Sequence, residues 1–237
     1  MHLLTDKIAV VTGAAGNLGQ AVARAFADQG ARLALVDLNQ EGLDAARNDL
    51  PPTAQAATFT CDLIDPRSVA RTSEQIIAHY GQVDILANIA GGFTMGPLLH
   101  ETDDKDWEFM LNLNARSVFN TCRALIPSML SAGGGRIVNV SARAATQGKA
   151  RMAPYCASKA AVITLTESLS AEHRDNGITV NCILPGTVDT PQNRAAMPDA
   201  DHSTWVPPSA LADVVLFLVS DAARCVSGAA IPVYGRS

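Results

Sequence analysis

Short apolar runs alternate along this chain with longer stretches whose apolar residues recur every three or four positions. Lys7 to Thr12 (KIAVVT) is a short run rich in β-branched apolar residues, the mark of a strand buried on both faces. Arg32 to Asp37, Thr58 to Cys61, Val83 to Asn88, Arg136 to Val140, Ile178 to Leu184 and Ala229 to Val233 read the same way. Between them the period lengthens to that of a helix. Val22, Ala23, Phe26 and Ala27 share one face of a segment that closes on Gly30. Glu41 to Leu50, Pro66 to Tyr80 with proline in its first turn, and Ser209 to Asp221 are further helices. Asp103 to Ser131 is predicted as one long helix, bent near Leu111 to Asn114 and ended by Gly133 to Gly135. Ala153 to Arg174 forms another, ended by Gly177, and Pro185 to Pro208 is predicted to be irregular. Strands separated by helices throughout predict an α/β fold. It is a Rossmann-type doubly wound parallel sheet of about seven strands, with helices on both faces. No linker or repeat splits the chain, so residues 1–237 are expected to form one domain, with a substrate-loop segment at about 186–210. Ligands in such sheets sit beyond the carboxyl ends of the strands.

Composition narrows the function. The 237 residues carry a net charge of −5 with acids and bases interleaved, which gives no footprint for a nucleic acid. Five scattered cysteines without a CxxC pair suit a reducing compartment, and the five histidines do not cluster with them, so no metal site is expected. Met1 to Lys7 contains no apolar signal core, and the longest apolar run, Val214 to Val219, is too short to span a membrane. A soluble, cytoplasmic protein without a membrane partner is the expectation.

Two stretches carry chemistry. The first strand runs into Gly13-Ala14-Ala15-Gly16-Asn17-Leu18-Gly19, a helix follows, and the second strand stops on Asp37. That is the frame of a dinucleotide site: glycines admit a pyrophosphate, the helix start supplies N–H groups, and the acid accepts from the ribose hydroxyls. Asp37 would repel a 2′-phosphate, and no Arg or Lys lies in the glycine loop or just after Asp37, so NAD(H) is preferred over NADP(H). The second stretch is Tyr155-Cys156-Ala157-Ser158-Lys159, where Tyr155 and Lys159 stand one helical turn apart. A nearby ammonium favours a phenolate, so the lysine is expected to lower the tyrosine pKa and fit Tyr155 for moving a proton near neutral pH.

Six elements in order make the chain resemble the short-chain dehydrogenase/reductase superfamily over essentially its whole length. They are Thr12-Gly13 with Gly19, Asp62-Leu63, Asn88-x-Ala90-Gly91, Asn114, Tyr155-x-x-x-Lys159 and Pro185-Gly186-x-Val188-x-Thr190. The resemblance implies a hydride moved between a nicotinamide cofactor and a carbonyl or alcohol of a small substrate, such as a 3-oxoacyl or other ketone. Tyr155 is implied as proton donor and acceptor, and Lys159 as the group that holds the nicotinamide ribose. Asn114, seven residues after Trp107, is implied to hold a water relaying protons to Lys159. Asp62 and Leu63 would flank the adenine, Asn88, Ala90 and Gly91 would back the cofactor, and Pro185, Gly186, Val188 and Thr190 would line its carboxamide and phosphates. The superfamily also implies a homo-oligomer, dimer or tetramer, built on Asp103–Ser131 and Ala153–Arg174.

Two departures bear on the site. Asn17 stands where the superfamily's loop has its middle glycine, and the turn is expected to survive because Asn tolerates a left-handed backbone. The superfamily's catalytic serine lies thirteen residues before the tyrosine, but here that position is Ala142 and the neighbouring serine is Ser141. Either Ser141 serves across a longer loop, or the serine role is missing. Dihydropteridine reductases lack that serine, and Asp189 to Arg194, Met197 to Asp201 and Ser203 to Trp205 resemble their substrate segment. A quinonoid dihydropterin is therefore a second substrate reading, and a non-catalytic dinucleotide-binding sensor is a reading of another class.

Overall fold

A computed structural model describes residues 2–236. Met1, the start of the segment read for a signal core, and Ser237, the end of the predicted domain, lie outside the described residues. Seven strands form one parallel sheet: β1 (Ile8–Thr12), β2 (Arg32–Asp37), β3 (Gln55–Thr60), β4 (Ile85–Asn88), β5 (Gly135–Val140), β6 (Ile178–Pro185) and β7 (Ala230–Val233). Their spatial order is β3-β2-β1-β4-β5-β6-β7, so the order reverses between β1 and β4.

Eight helices connect them: α1 (Asn17–Asp28), α2 (Gln40–Asn48), α3 (Pro66–Tyr80), α4 (Asp104–Leu111), α5 (Ser117–Ser131), α6 (Ala153–His173), α7 (Pro191–Ala196) and α8 (Pro208–Val219). Alternate residues of each strand feed two cores. Ala9 and Val11 pack with Phe26 of α1, Leu43 of α2 and Val215 of α8 on one face. Val10 packs with Ile76 of α3, Leu125 of α5 and Val162 of α6 on the other. The period of two in the strands thus serves two helical layers.

Local chemistry sets the boundaries. Asp65 accepts from the Arg67 N–H ahead of Pro66, and Asn39, Asp103 and Thr190 cap α2, α4 and α7 likewise. Gly30, Gly81 and Gly177 turn the chain with φ of +81°, +88° and +71°. The long helix predicted over 103–131 is divided by a π-turn, Asn112–Arg116, at the place where a bend is expected. Several predicted boundaries shift by one to three residues: β3 begins at Gln55 rather than Thr58, β4 at Ile85 rather than Val83, and α2 ends at Asn48 rather than Leu50. The stretch 185–208, read as irregular, contains α7, the 3-10 turn His202–Thr204 and a bridge between Val188 and Val206.

Candidate active site

The carboxyl ends of β1, β2 and β4 build a cradle. After β1, Gly13 takes φ +65°, and a Cβ there would stand 2.8 Å from the Ala90 Cα. A Cβ on Gly19 would stand 2.0 Å from the Gly13 carbonyl oxygen, so the absence of a side chain lets α1 close on the turn. Thr12 fastens the other wall, its Oγ accepting from the N–H groups of Ile89 (3.1 Å) and Ala90 (3.2 Å). Asp37 faces the loop: one carboxylate oxygen accepts from the Ala15 N–H (3.2 Å) and the other from the Asn39 N–H (3.1 Å). Helix α1 starts on Gly16 without a side-chain cap and has no acid in its first turn. Leu18 packs on the core beneath. An uncapped helix start beside a glycine turn, with a carboxylate at the next strand end, fits the pyrophosphate and ribose of a dinucleotide.

Asn17 does not take the left-handed backbone expected for it. It is the first residue of α1, and its Nδ2 donates to Gln192 Oε1 at 3.0 Å. A helical residue has no need of a positive φ, so the backbone of this turn forms without the middle glycine. Asp62 closes its own turn by accepting from the Ile64 N–H (2.9 Å), while Leu63 is half-buried and its carbonyl accepts from Asn120 (2.9 Å). The Asn88 side chain is turned inward. It donates to Asn139 (2.9 Å) and accepts from Thr121 (2.7 Å), so Asn88 braces the cradle from below.

Tyr155 and Lys159 stand on the first turns of α6, joined to the β4 turn through Asn114. A Cβ on Gly91 would lie 2.8 Å from Asn114 Oδ1 and 2.9 Å from Lys159 Nζ, which puts both polar atoms against one point of the backbone. Asn114 sits in the π-turn, fully buried. Its Oδ1 accepts from the Gly92 N–H (2.9 Å), and its Nδ2 donates to the Gly92 carbonyl (3.1 Å) and Ser158 Oγ (3.0 Å). Ser158 in turn donates to the Tyr155 carbonyl (2.8 Å), so the amide of Asn114 and the backbone of Tyr155 form one chain of bonds. Phe93 stands edge-on to the Tyr155 ring, centroids 4.9 Å apart.

The electrostatics run against the expected lowering of the phenol pKa. Burial pushes the Tyr155 hydroxyl up to about 12, with Cys156 adding to the rise. Lys159 Nζ donates to the Val140 carbonyl (2.9 Å), and burial lowers its pKa to about 8. Desolvation dominates both groups, and it weakens the very charge that was expected to stabilise a phenolate.

Ser141 is buried, and its Oγ donates to the Lys159 carbonyl at 2.7 Å. Its single hydroxyl hydrogen is committed to tying β5 to α6. Ala142, also buried, occupies the neighbouring position. Beyond β6, Pro185 pairs with Val233, the Gly186 N–H donates to the Val233 carbonyl (3.0 Å), and the Val188 carbonyl accepts from Asn193 (2.7 Å). Thr190 Oγ caps α7 by accepting from the Asn193 N–H (3.2 Å). Arg194 forks onto Asp189, its Nη2 at 2.7 Å from Oδ2, and that hydrogen bonding holds the Asp189 carboxyl below its usual range. No residue of α7 is buried.

The fold therefore brings the cradle, Asn114, Tyr155, Lys159 and the segment after β6 to one edge of the sheet. Phe93 and Ser158 stand at the site without a role assigned to them from sequence, being a loop aromatic and a serine inside a helix. A family model described as short chain dehydrogenase matches residues 7–201. D-threitol dehydrogenase of Mycolicibacterium smegmatis is 37% identical over 242 residues, covering 98% of this chain and 93% of that one. The 3-oxoacyl-(acyl-carrier-protein) reductase of Thermotoga maritima is 31% identical over 244 residues, covering 98% of each chain. Among solved structures, an NAD+-bound xylitol dehydrogenase superposes with a TM-score of 0.90 at 27% identity, covering 98% of this chain and 99% of that one.

Proposed function

The chain belongs to the short-chain dehydrogenase family, whose members are oxidoreductases that bind a nicotinamide cofactor, and from that premise we propose that it interconverts a carbonyl and an alcohol with NAD(H) in preference to NADP(H). The observation that carries the reading is the meeting of Lys159 and Asn114 at Gly91, beside the glycine cradle, with Tyr155 one helical turn before Lys159 and tied to Asn114 through Ser158. When bound, the nicotinamide supplies or accepts the hydride. Tyr155 gives its phenolic proton to the substrate oxygen in reduction and takes it back in oxidation. Lys159 holds the nicotinamide ribose, and Asn114 fixes the turn at Gly91 and Gly92 that backs the ring. Gly13 and Gly19 admit the pyrophosphate, Asp62 and Leu63 flank the adenine, and Pro185, Gly186, Val188 and Thr190 line the remaining wall. Asp37 sets the preference for NAD(H), because its carboxylate faces the loop where a 2′-phosphate would meet it.

Ser141 is not assigned a donor role, since its hydrogen is spent on the Lys159 carbonyl. That commitment supports the second reading, a quinonoid dihydropterin, whose reduction does without a serine bonded to a ketone oxygen. The groove between α5 and α6, lined by Val118, Ile126, Leu165 and Leu169 and edged by exposed Phe119, supports a homo-oligomer joined through those helices. Five free cysteines support a cytoplasmic setting. No helix among the described residues is long and apolar enough to cross a membrane.

The test is NADH oxidation with a panel of ketones and quinonoid dihydropterin. Turnover on ketones that falls about 100-fold or more in Tyr155→Phe supports the leading reading. Turnover on the pterin alone moves the assignment to the second. NADH binding without turnover on either leaves a dinucleotide sensor. Asp37→Ser is expected to raise the relative use of NADPH at least tenfold.

A further inference from the structure

Charge is distributed unevenly around Tyr155. The chain as a whole is acidic, at −5. Yet the two loops that flank the tyrosine, 89–100 and 141–154, contain no Asp or Glu and hold Arg143, Lys149 and Arg151, with Lys159 just beyond. The nearest acids along the chain, Glu101 and Glu167, lie outside both loops.

Arg151 is also the most constrained residue of the pair of loops. It adopts φ +64°, a left-handed backbone that a long side chain rarely takes, four residues before Tyr155. Two bonds fasten it to the opposite loop: the Gly96 N–H donates to the Arg151 carbonyl (2.9 Å), and Arg151 Nε donates to the Gly96 carbonyl (3.1 Å). Two residues on from Tyr155's edge partner Phe93, that same loop carries exposed Met95. That bond fixes Nε of an exposed side chain, and among the described residues no carboxylate forms an ion pair with the Arg151 guanidinium. Arg143 is a second cation of these loops. Its guanidinium lies 5.1 Å over the Tyr234 ring, from which it adds to the positive potential at the carboxyl end of β6.

We propose that Arg151 binds a carboxylate of the substrate, so that this chain acts on oxo acids and their hydroxy-acid partners in preference to neutral ketones and alcohols. The inference rests on the oxidoreductase reading above and narrows its substrate class. A planar guanidinium with one edge already anchored offers two parallel N–H groups to a carboxylate at little further cost in side-chain freedom. The cationic loops raise the local concentration of an anionic substrate, an effect that weakens with salt. Carbonyl reduction by Tyr155 is unchanged by this contact, which fixes only where the carbon skeleton lies.

The experiment compares acetoacetate and levulinate with their methyl esters, as substrates and as ligands of the protein–NADH complex followed by nicotinamide fluorescence. The expected result is a KM for the acids at least tenfold below that of the esters, rising as salt goes from 50 to 500 mM. Arg151→Ala should raise the acids' KM about ten- to a hundredfold with kcat changed less than threefold, and leave the esters' KM unchanged. Arg151→Lys should restore part of the loss. Equal KM values for acids and esters in the native protein, or an equal rise for both in Arg151→Ala, would overturn the proposal. The comparison in the native protein decides the matter even where the variant fails to fold. If no ketone is turned over but the acids bind the NADH complex in an Arg151-dependent way, the anion site stands and the catalytic reading falls. Turnover of esters with no preference for acids has the opposite meaning.

Discussion

Asn17 and Gln192, 175 residues apart in the chain, share a hydrogen bond of 3.0 Å. It joins the start of α1, where a pyrophosphate would lie, to the helix that follows β6. Because α7 buries none of its residues, this bond and the Asp189–Arg194 fork carry much of what holds it in place. Asn17→Gly is expected to leave the global unfolding midpoint nearly unchanged, since the bond is exposed. Cleavage between residues 190 and 200 by a dilute protease should become several times faster, and added NADH should slow it less than in the native protein.

Asn114 is the buried knot of the site. Replacing it with Ala leaves the Gly92 N–H and carbonyl without their side-chain partner and takes from Ser158 Oγ the donor it accepts from. Leaving buried polar groups unmet costs about 1–3 kcal/mol each, so Asn114→Ala should lose roughly 3 kcal/mol in urea unfolding. Ser158→Ala removes one link of the same chain and should lose about 1 kcal/mol. In both variants kcat should fall more than the Kd for NADH changes.

Two glycines differ in what they tolerate. Gly19→Ala would place a methyl 2.0 Å from the Gly13 carbonyl, with backbone on both sides and no soft neighbour to move. Loss of roughly 3 kcal/mol or more and of NADH binding is expected, read by thermal unfolding and fluorescence titration. Gly16→Ala, whose Cβ would meet nothing nearer than 3.4 Å, should fold normally and serve as its control.

The lowered pKa of Lys159 has a pH signature. The folded protein releases this proton at about pH 8, the unfolded chain at about its ordinary 10.5. Between those values the unfolded state holds more protons, so this lysine's contribution to stability increases as pH rises through the window and is lost as pH falls back through 8. Over the window the stability of the native protein relative to Lys159→Met should improve by roughly 3 kcal/mol. The comparison of the two isolates the lysine, because Cys122, Cys182 and Tyr155 are pushed up by burial and pull the other way at higher pH in both. A gap that stays constant from pH 8 to 10.5 would contradict a buried Lys159.

The parts legible in the sequence are those whose physics is local. β2 matches its expected limits because its apolar run LALV is buried between β3 and β1, and α3 matches because Asp65, Pro66 and Gly81 mark both ends chemically. β3 begins three residues before its apolar pattern does. Gln55, Ala56 and Ala57 owe their strand to pairing with β2 at the sheet's edge, which their own side chains do not announce. α7 has six residues in a proline-rich stretch and exists through the Thr190 cap and its neighbours rather than through helical periodicity. Within the site, spacing points to Tyr155 and Lys159, while Asn114 is a candidate only through the family resemblance. The direction of the tyrosine's pKa is invisible to spacing, because it depends on how much protein surrounds the ring. The partners of Ser141 and Asn17 are equally hidden, being fixed by residues 18 and 175 positions away.

The π-turn at 112–116 amounts to one surplus residue threaded into an otherwise continuous rod. Winding the same residues as a regular α-helix, without that turn, would swing everything on its far side by about a quarter turn. Asn114 could then no longer reach Gly92 and Ser158 together, while Val118 and Leu125 would leave their seats beneath the sheet. The irregularity is thus the adjustment that allows a single piece of chain to serve the reaction at one end and the packing of the molecule at the other.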